Sequence, residues 1–273
     1  MWKTRELTDK AEILAYLETD RLYAAYAIGD LEPGMFEQST WAGAEIEEQL
    51  QALALHFRGL KIPALFLMGD ADGLRAMLED VPYPERVYFT CHAGHLGVTR
   101  DFYVWDEVVP MWRMVLQPGR FRPVQDDCLR LGPVHAGQLE ELYALGEGNA
   151  FSPAQMEPGV FYGVPVDGRL VAAAGTHLVS PTYGVAAVGN VFTHPDYRGR
   201  GYGTLTTSAV VAGLLQMGIP DVVLNVEQDN AVAVRLYGRL GFERYCPFLE
   251  GPASVQRAIS SVQLHRSHKQ GGI

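Results

Sequence analysis

Six residues, Arg198-Gly199-Arg200-Gly201-Tyr202-Gly203, combine what a diphosphate needs. Glycines carry no Cβ to hold an anion away from the main chain, so successive amides can converge on its oxygens. Arginines add planar forks of donors for phosphate oxygens. The loop stands between an apolar run ending Val191-Phe192-Thr193-His194-Pro195 and a helical pattern beginning at about Tyr202. That helix adds its free N–H groups and the positive end of its dipole. Downstream, Tyr237 follows Asn230 by seven residues, two helical turns, which puts both on one side of a second helix. A tyrosine there can protonate a leaving thiolate, a general-acid step. The plainer use of Tyr237 is as a core or rim aromatic of Leu236-Tyr237-x-x-Leu240-Gly241-Phe242.

The spacing argues against two other phosphate sites. A P-loop needs a lysine after its glycines and before Ser or Thr, which is missing here. A dinucleotide fingerprint needs Gly-x-Gly-x-x-Gly after the first strand of a βαβ unit, with an acidic residue about 20 positions on. Here the glycines repeat every second residue and several strands precede them.

The elements that must position this loop read as follows. Val160 to Val166 and Leu170 to Val179 flank Asp167-Gly168, a hairpin signal. Tyr183 to Thr193 is apolar nearly throughout, as suits a central strand covered on both faces. A helix from Tyr202 to Met217 would turn Leu205, Ala209, Ala212 and Leu215 inward, with Gly218 ending it. Asp221 to Val226 is a strand, and Asn230 caps a helix from Ala231 to Leu240 whose packing stripe is Val232, Leu236 and Leu240. Gly241 closes that helix and Phe242 to Leu249 is the last strand. Before the hairpin, Cys128 to Leu131 is a short strand. Pro133 and His135 open a helix carrying Leu139, Leu142 and Leu145, and Ser152-Pro153-Ala154 is a helix start.

The first half also alternates strand and helix. Helices are expected over Thr8–Leu17, Arg21–Ile28 and Asp70–Leu78, and strands over Gln51–Phe57, Ala64–Met68, Arg86–Cys91 and Met111–Leu116. It has no glycine-arginine loop. Cys91-His92-Ala93-Gly94-His95 is a polar loop after a strand, since a zinc site needs a third and fourth ligand. Gln117-Pro118-Gly119 interrupts the strand pattern and marks a boundary. The expected organisation is residues 1–122, 123–250 and a tail, 251–273, whose His265-Arg266-Ser267-His268-Lys269 is a solvated terminus.

The chain of 273 residues is 48% hydrophobic, enough for a sizeable core, and carries a formal net charge of −10. An acidic chain without a basic block is not expected to bind nucleic acid. Cys91, Cys128 and Cys246 are far apart, form neither a metal-ligand spacing nor a disulfide framework, and fit a reducing cytosol. No apolar run reaches the ~18 residues of a membrane helix, so a cytoplasmic enzyme without membrane or metal is expected, as a monomer or homodimer.

Val191 to Phe242 resembles the GNAT superfamily of acetyl-CoA-dependent N-acetyltransferases. The residues that carry the likeness are Val191-Phe192-Thr193-x-Pro195, the loop Arg198 to Gly203, Asn230 in Asn225-Val226-x-x-x-Asn230-x-x-Ala233, and Leu236-Tyr237-x-x-Leu240-Gly241-Phe242. The resemblance implies an α/β fold, a mixed central sheet flanked by helices, with the first half a degenerate second copy. It implies that the Val191-Phe192-Thr193 main chain holds the pantetheine arm of acetyl-CoA as an added strand. Arg198, Gly199, Arg200, Gly201, Tyr202, Gly203 and Thr204 would hold the pyrophosphate, and Asn230 the arm or the adenosine side. Tyr237 would protonate the departing thiolate after a primary amine, of a small molecule, attacks the thioester. Many family members carry a glutamate on the strand before the loop as a base; Tyr183 to Val191 has no carboxylate. His177, Asn190 holding a water, and Glu227 are the alternatives, together with loss of the amine proton to solvent. The missing carboxylate also admits a non-catalytic acyl-CoA-binding module.

Overall fold

The computed structural model describes residues 1–80, 83–117, 119–124, 128–146 and 151–256. In chain order, β1 (Lys3–Leu7) leads to α1 (Lys10–Leu17), a short α2 (Ala25–Gly29), β2 (Ser39–Ile46), β3 (Gln49–Phe57), β4 (Ala64–Gly69), α3 (Ala71–Asp80), β5 (Arg86–Cys91), α4 (Leu96–Phe102), β6 (Tyr103–Trp105) and β7 (Val109–Leu116). Then come β8 (Leu129–Leu131), α5 (Ala136–Tyr143), β9 (Phe161–Val166), β10 (Arg169–Ser180), β11 (Val185–Thr193), α6 (Tyr202–Gln216), β12 (Asp221–Glu227), α7 (Ala231–Leu240) and β13 (Phe242–Val255). No helix among the described residues is long and apolar enough to cross a membrane.

The elements form two compact units, and neither is continuous in the chain. The first takes residues 1–19 and 33–111 and the chain from Pro247 on; the second takes 20–32 and 112–246. The expected division at 122/123 therefore falls inside the second unit. Its reason is strand order: β7 lies between β12 and β13, so it cannot be left to the first half. The expected tail also starts too early, because β13 runs to Val255 and pairs with β5 from Leu249 to Ser254. The stretch His265 to Lys269 lies outside the described residues.

Each unit is a mixed sheet with helices, and the two repeat one pattern. In the first, β2–β3 and β3–β4 are antiparallel and β4–β5 is parallel, with α3 as the crossover. In the second, β9–β10 and β10–β11 are antiparallel and β11–β12 is parallel, with α6 as the crossover. The β9–β10 turn puts Asp167 and Gly168 at φ +48° and +79°, the paired positive values of a two-residue hairpin.

Two helix faces differ from expectation. On α6 the buried residues are Leu205, Thr206, Thr207, Ser208, Val210, Val211, Gly213 and Leu214, whereas Leu215 is exposed. The helix is apolar nearly all round, so spacing alone did not select the face. Hydroxyls could be buried because they bond locally: Thr206 Oγ1 donates to the Tyr202 carbonyl at 3.0 Å and Thr207 Oγ1 to that of Gly203 at 2.7 Å. On α7, Val232 is 70% exposed, and Tyr237 and Leu240 are the buried residues, with Ala233, Val234 and Leu236 partly buried beside them.

Residues 20–32 behave as a strap in the second unit. Arg21 donates to Asp221 at 2.7 Å, and Tyr245 to Asp20 at 2.7 Å. At the other end Glu32 accepts from the hydroxyls of Ser180 (2.7 Å) and Thr182 (2.9 Å). Between these ties α2 packs on β10 and β11. Asp30, the residue that caps its C-terminal end, is held by burial at a pKa of about 8 instead of the ordinary 3.8.

A fragment of residues 123–250 lacks both β7 and the strap, so it should show no cooperative melting transition by circular dichroism; a sharp transition would refute this account of the unit. Native Asp30 keeps its proton up to about pH 8 while the unfolded chain releases it near 4, so its contribution to stability is full below pH 4 and is lost as pH rises to 8. Asp30→Asn cannot titrate. Its melting temperature minus that of the parent should rise by on the order of 5 °C between pH 4 and 8; a constant difference would show the carboxyl is not buried.

Candidate active site

The site begins where two parallel strands part. Among the described residues β11 and β12 pair from Val185↔Asp221 to Val188↔Leu224 only, although β11 continues to Thr193 and β12 to Glu227. On its other side β11 stays paired with β10 out to Ala172↔Thr193. Residues 189–193 therefore present one main-chain edge to a gap between strands. The β10–β11 register shifts between Ala173 and Gly175 and again between Thr176 and Leu178, and Asn190 sits at φ +51°. Asparagine tolerates that left-handed conformation. A main-chain donor or acceptor left unmet away from water costs about 1–3 kcal/mol, so this edge favours an extended ligand that carries amides. Val191 packs its side chain on the core under α6, and Phe192 on the cluster around Leu142 and Tyr143.

The open edge runs into the glycine-arginine loop. His194 Nδ1 accepts from the Asp196 amide at 3.2 Å, starting a single turn over Pro195–Tyr197. Gly199 and Gly201 have φ of +76° and +84°, and a Cβ on either would meet nothing within 4 Å. Both glycines are thus required by backbone conformation and face open space. Because Gly201 is the N-cap of α6, no side chain covers the first-turn N–H groups of that helix, where Tyr202, Gly203 and Thr204 lie. Gly203 also lets α6 approach its neighbours: a Cβ would lie 3.3 Å from Leu236 Cδ1 and 3.5 Å from Thr193 Oγ1. Arg198 donates to the Thr193 carbonyl at 3.3 Å, and Arg200 to that of Asp196 at 3.3 Å. Both side chains are exposed, held on the loop by rings of Phe192 and Tyr197 at 5.9 and 4.9 Å.

The same place in the first unit is closed. There β4 turns into α3 through Gly69 and Asp70, and the Asp70 carboxylate accepts from the amides of Asp72 (2.8 Å) and Gly73 (3.1 Å). An internal carboxylate occupies the helix start that α6 leaves bare. Gly69, at φ +103°, is packed so closely that a Cβ would overlap Tyr16 and Gln51. His95, in the polar loop after β5, is buried and bonds the Gly69 carbonyl through Nε2 at 2.9 Å.

Tyr237 and Asn230 do not share an environment. Asn230 is exposed at the start of α7, where its side-chain oxygen accepts from the Ala233 amide at 3.0 Å. Tyr237 is buried with Val188 and Met114, its ring 6.1 Å edge-on from that of Phe242. Burial pushes its phenol up to about 12, so it is protonated at neutral pH, as a general acid must be.

Residues 131–242 match the model of the acetyltransferase (GNAT) family. They are a GNAT-family acetyltransferase domain. The chain is 38% identical over 91 residues to a mycothiol acetyltransferase of Saccharomonospora viridis, which covers 31% of this chain and 30% of that relative. It is 34% identical over 175 residues to a mycothiol acetyltransferase of Thermobispora bispora, covering 56% of this chain and 58% of the relative. The chain thus spans well under two thirds of these curated relatives. A tandem GNAT protein from the clavulanic acid biosynthesis pathway superposes with a TM-score of 0.58 at 15% identity, over 93% of this chain and 98% of that one. The likeness is one of fold, two GNAT-like halves in series.

Within the GNAT domain Glu227 stands apart from the other two alternatives for a base, His177 and Asn190. Glu227 is exposed at the end of β12. His177 on β10 is partly buried, its Nδ1 3.1 Å from the Tyr26 hydroxyl, and burial pulls its pKa down to about 4. Asn190 is buried, and its side chain hydrogen-bonds that of His177. Tyr26 was missed in the sequence. Its signal was a lone polar tip in the apolar run Ala24-Ala25-Tyr26-Ala27-Ile28. Among the described residues no cluster of His, Cys, Asp and Glu could hold a metal.

Gly201→Val would force a β-branched residue into a left-handed conformation and fill the open space before α6. Acetyl-CoA affinity measured by calorimetry should fall by at least about tenfold, or 1.4 kcal/mol, with an unchanged circular dichroism spectrum. Unaltered affinity in the folded variant would reduce the loop to a turn.

Proposed function

We propose that the protein transfers an acetyl group from acetyl-CoA to the primary amine of a small molecule, by direct attack in a ternary complex. The observation that carries this is the continuity of the open β11 edge, residues 189–193, with the bare amide cluster at Gly199–Thr204. An edge that offers main-chain partners suits the amides of a pantetheine arm, here at Val191 and Thr193. Arg198, Gly199, Arg200, Gly201, Tyr202, Gly203 and Thr204 then meet the pyrophosphate, and Asn230 the adenosine side or the arm. The relatives' name, mycothiol acetyltransferase, supports a small-molecule acceptor.

In this reading the amine nitrogen attacks the thioester carbonyl. The C–N bond forms as the C–S bond breaks, the nitrogen sheds one proton to solvent, and Tyr237 gives its proton to the departing sulfur and regains it from solvent. Tyr237 lies on the α7 side of β11, packed with Val188, the last residue before the strands part. The absence of a carboxylate on β11 supports a second reading, an acyl-CoA-binding module without turnover.

Thiol release from acetyl-CoA with a panel of amines separates the two. The first reading predicts release, and a loss in Tyr237→Phe of about 10²–10⁴-fold in turnover, the usual reach of a general acid, with acetyl-CoA binding retained. Tight binding with no release for any amine would support the module. Neither binding nor release would sink both.

A further inference from the structure

The open stretch of β11 contains two irregularities that cancel. The β10–β11 register passes from Ala172↔Thr193 and Ala173↔Phe192 to Gly175↔Gly189, so two residues of β11, Asn190 and Val191, stand opposite Ala174 alone. It then passes from Thr176↔Val188 to Leu178↔Ala187, so His177 is an extra residue on β10. From Leu178 to Ser180 the first register is restored. A pairing left one residue out would turn the side chains of Val185 to Ala187 to the wrong face, so each bulge requires the other. The last β11–β12 pair, Val188↔Leu224, lies in the shifted segment between them. Bulges bend and twist a strand, and β11 parts from β12 at that place.

One side chain from each bulge bonds the other, His177 to Asn190. The imidazole also lies against Gly189, where a Cβ would overlap it. The direction of the bond follows from the remaining partners. Asn190 Nδ2 donates to Gln155 Oε1 at 3.2 Å and to the Thr176 carbonyl at 3.4 Å. Its Oδ1 therefore meets the imidazole, and an amide oxygen only accepts. Nδ1 of the ring is 3.1 Å from the Tyr26 hydroxyl. Nε2 thus carries the hydrogen given to Asn190, and Nδ1 accepts from Tyr26. One directed chain runs from Tyr26 through His177 and Asn190 to Gln155. It ends on a residue whose backbone is in a left-handed conformation, at φ +51°, and whose own carbonyl accepts from Tyr143 at 2.6 Å.

We propose that Tyr26 and His177 are positioning residues for the acyl donor: they hold the paired bulges, with Asn190 left-handed, and so keep residues 189–193 open to the pantetheine arm. This rests on the acetyl-CoA reading above. Removing either partner leaves Asn190 Oδ1 buried without its donor, and the left-handed backbone loses its support. The open edge is then present in fewer molecules, and apparent donor affinity falls with that fraction. The strap 20–32 supplies the first hydrogen of the chain through α2. The loop Arg198–Gly203 is local in sequence, but the edge leading into it depends on a residue far upstream.

The test uses the full chain and two readouts. Long-range proton–nitrogen spectra of the parent without acetyl-CoA report the imidazole directly. His177 should be the Nε2–H tautomer, and Tyr26→Phe should shift it toward Nδ1–H. An Nδ1–H tautomer in the parent would overturn the chain, whatever the protein binds. Acetyl-CoA Kd by calorimetry reports the consequence. Tyr26→Phe and His177→Leu should each raise it about tenfold, the scale of one buried acceptor left without a donor. Glycine takes a left-handed conformation without support. In an Asn190→Gly background, Tyr26→Phe should therefore change Kd by less than about twofold. An equal loss in both backgrounds would overturn the positioning role, because Tyr26 would then act on the fold at large. So would an unaltered Kd in folded Tyr26→Phe and His177→Leu. A parent with the Nε2–H tautomer that does not bind acetyl-CoA would overturn the donor reading, and the role proposed here with it, while the hydrogen-bond chain itself stands.

Discussion

The unpaired edge of β11 beyond Val188 is the constraint on which the second unit turns. β10 holds the strand on one side to Thr193, so β11 cannot fray; β12 departs on the other, so its main chain stays without a partner there. A backbone edge between two strands is costly unless something extended enters it. The loop and α6 continue from that edge, with first-turn amides left bare because the capping position is a glycine. The open edge and the bare helix start that continues from it thus follow from one departure from regular pairing.

The two units show how little separates an open helix start from a closed one. Both follow the same strand order into a crossover helix. In the first, Asp70 caps α3 and places a carboxylate where an anion would bind, and Gly69 packs against Tyr16 and Gln51 with no spare room. In the second, eight residues from His194 to Gly201 open the turn. Capping stabilises a helix by roughly 1 kcal/mol; α6 forgoes it and keeps its amides available.

Much of this was legible in order along the chain. Asn230 and Gly241 delimit α7 because a capping oxygen and a left-handed glycine are local requirements, met by Ala233 and by φ +106°. Asp167-Gly168 marked the hairpin for the same reason. Elements whose pattern is set by neighbours were not legible. β1, Lys-Thr-Arg-Glu-Leu, is an edge strand with one buried residue, and nothing in its composition distinguishes it from a loop. The inward faces of α6 and α7 depended on which side met the sheet, since both helices carry apolar residues on more than one side.

The sequence by itself determined the glycine-arginine loop, the capped helix that carries Tyr237, and the order of strands leading to them. Each rests on contacts between residues close in the chain, where residue type and spacing suffice. Tertiary structure alone decided that β12 leaves β11 at Leu224, that Tyr237 is buried while Asn230 is exposed, and that Tyr26 meets His177 across 151 residues of chain. No local preference encodes a meeting at that separation. It exists because the strap 20–32 is tied at both ends to the second unit, which sets α2 against β10 and β11.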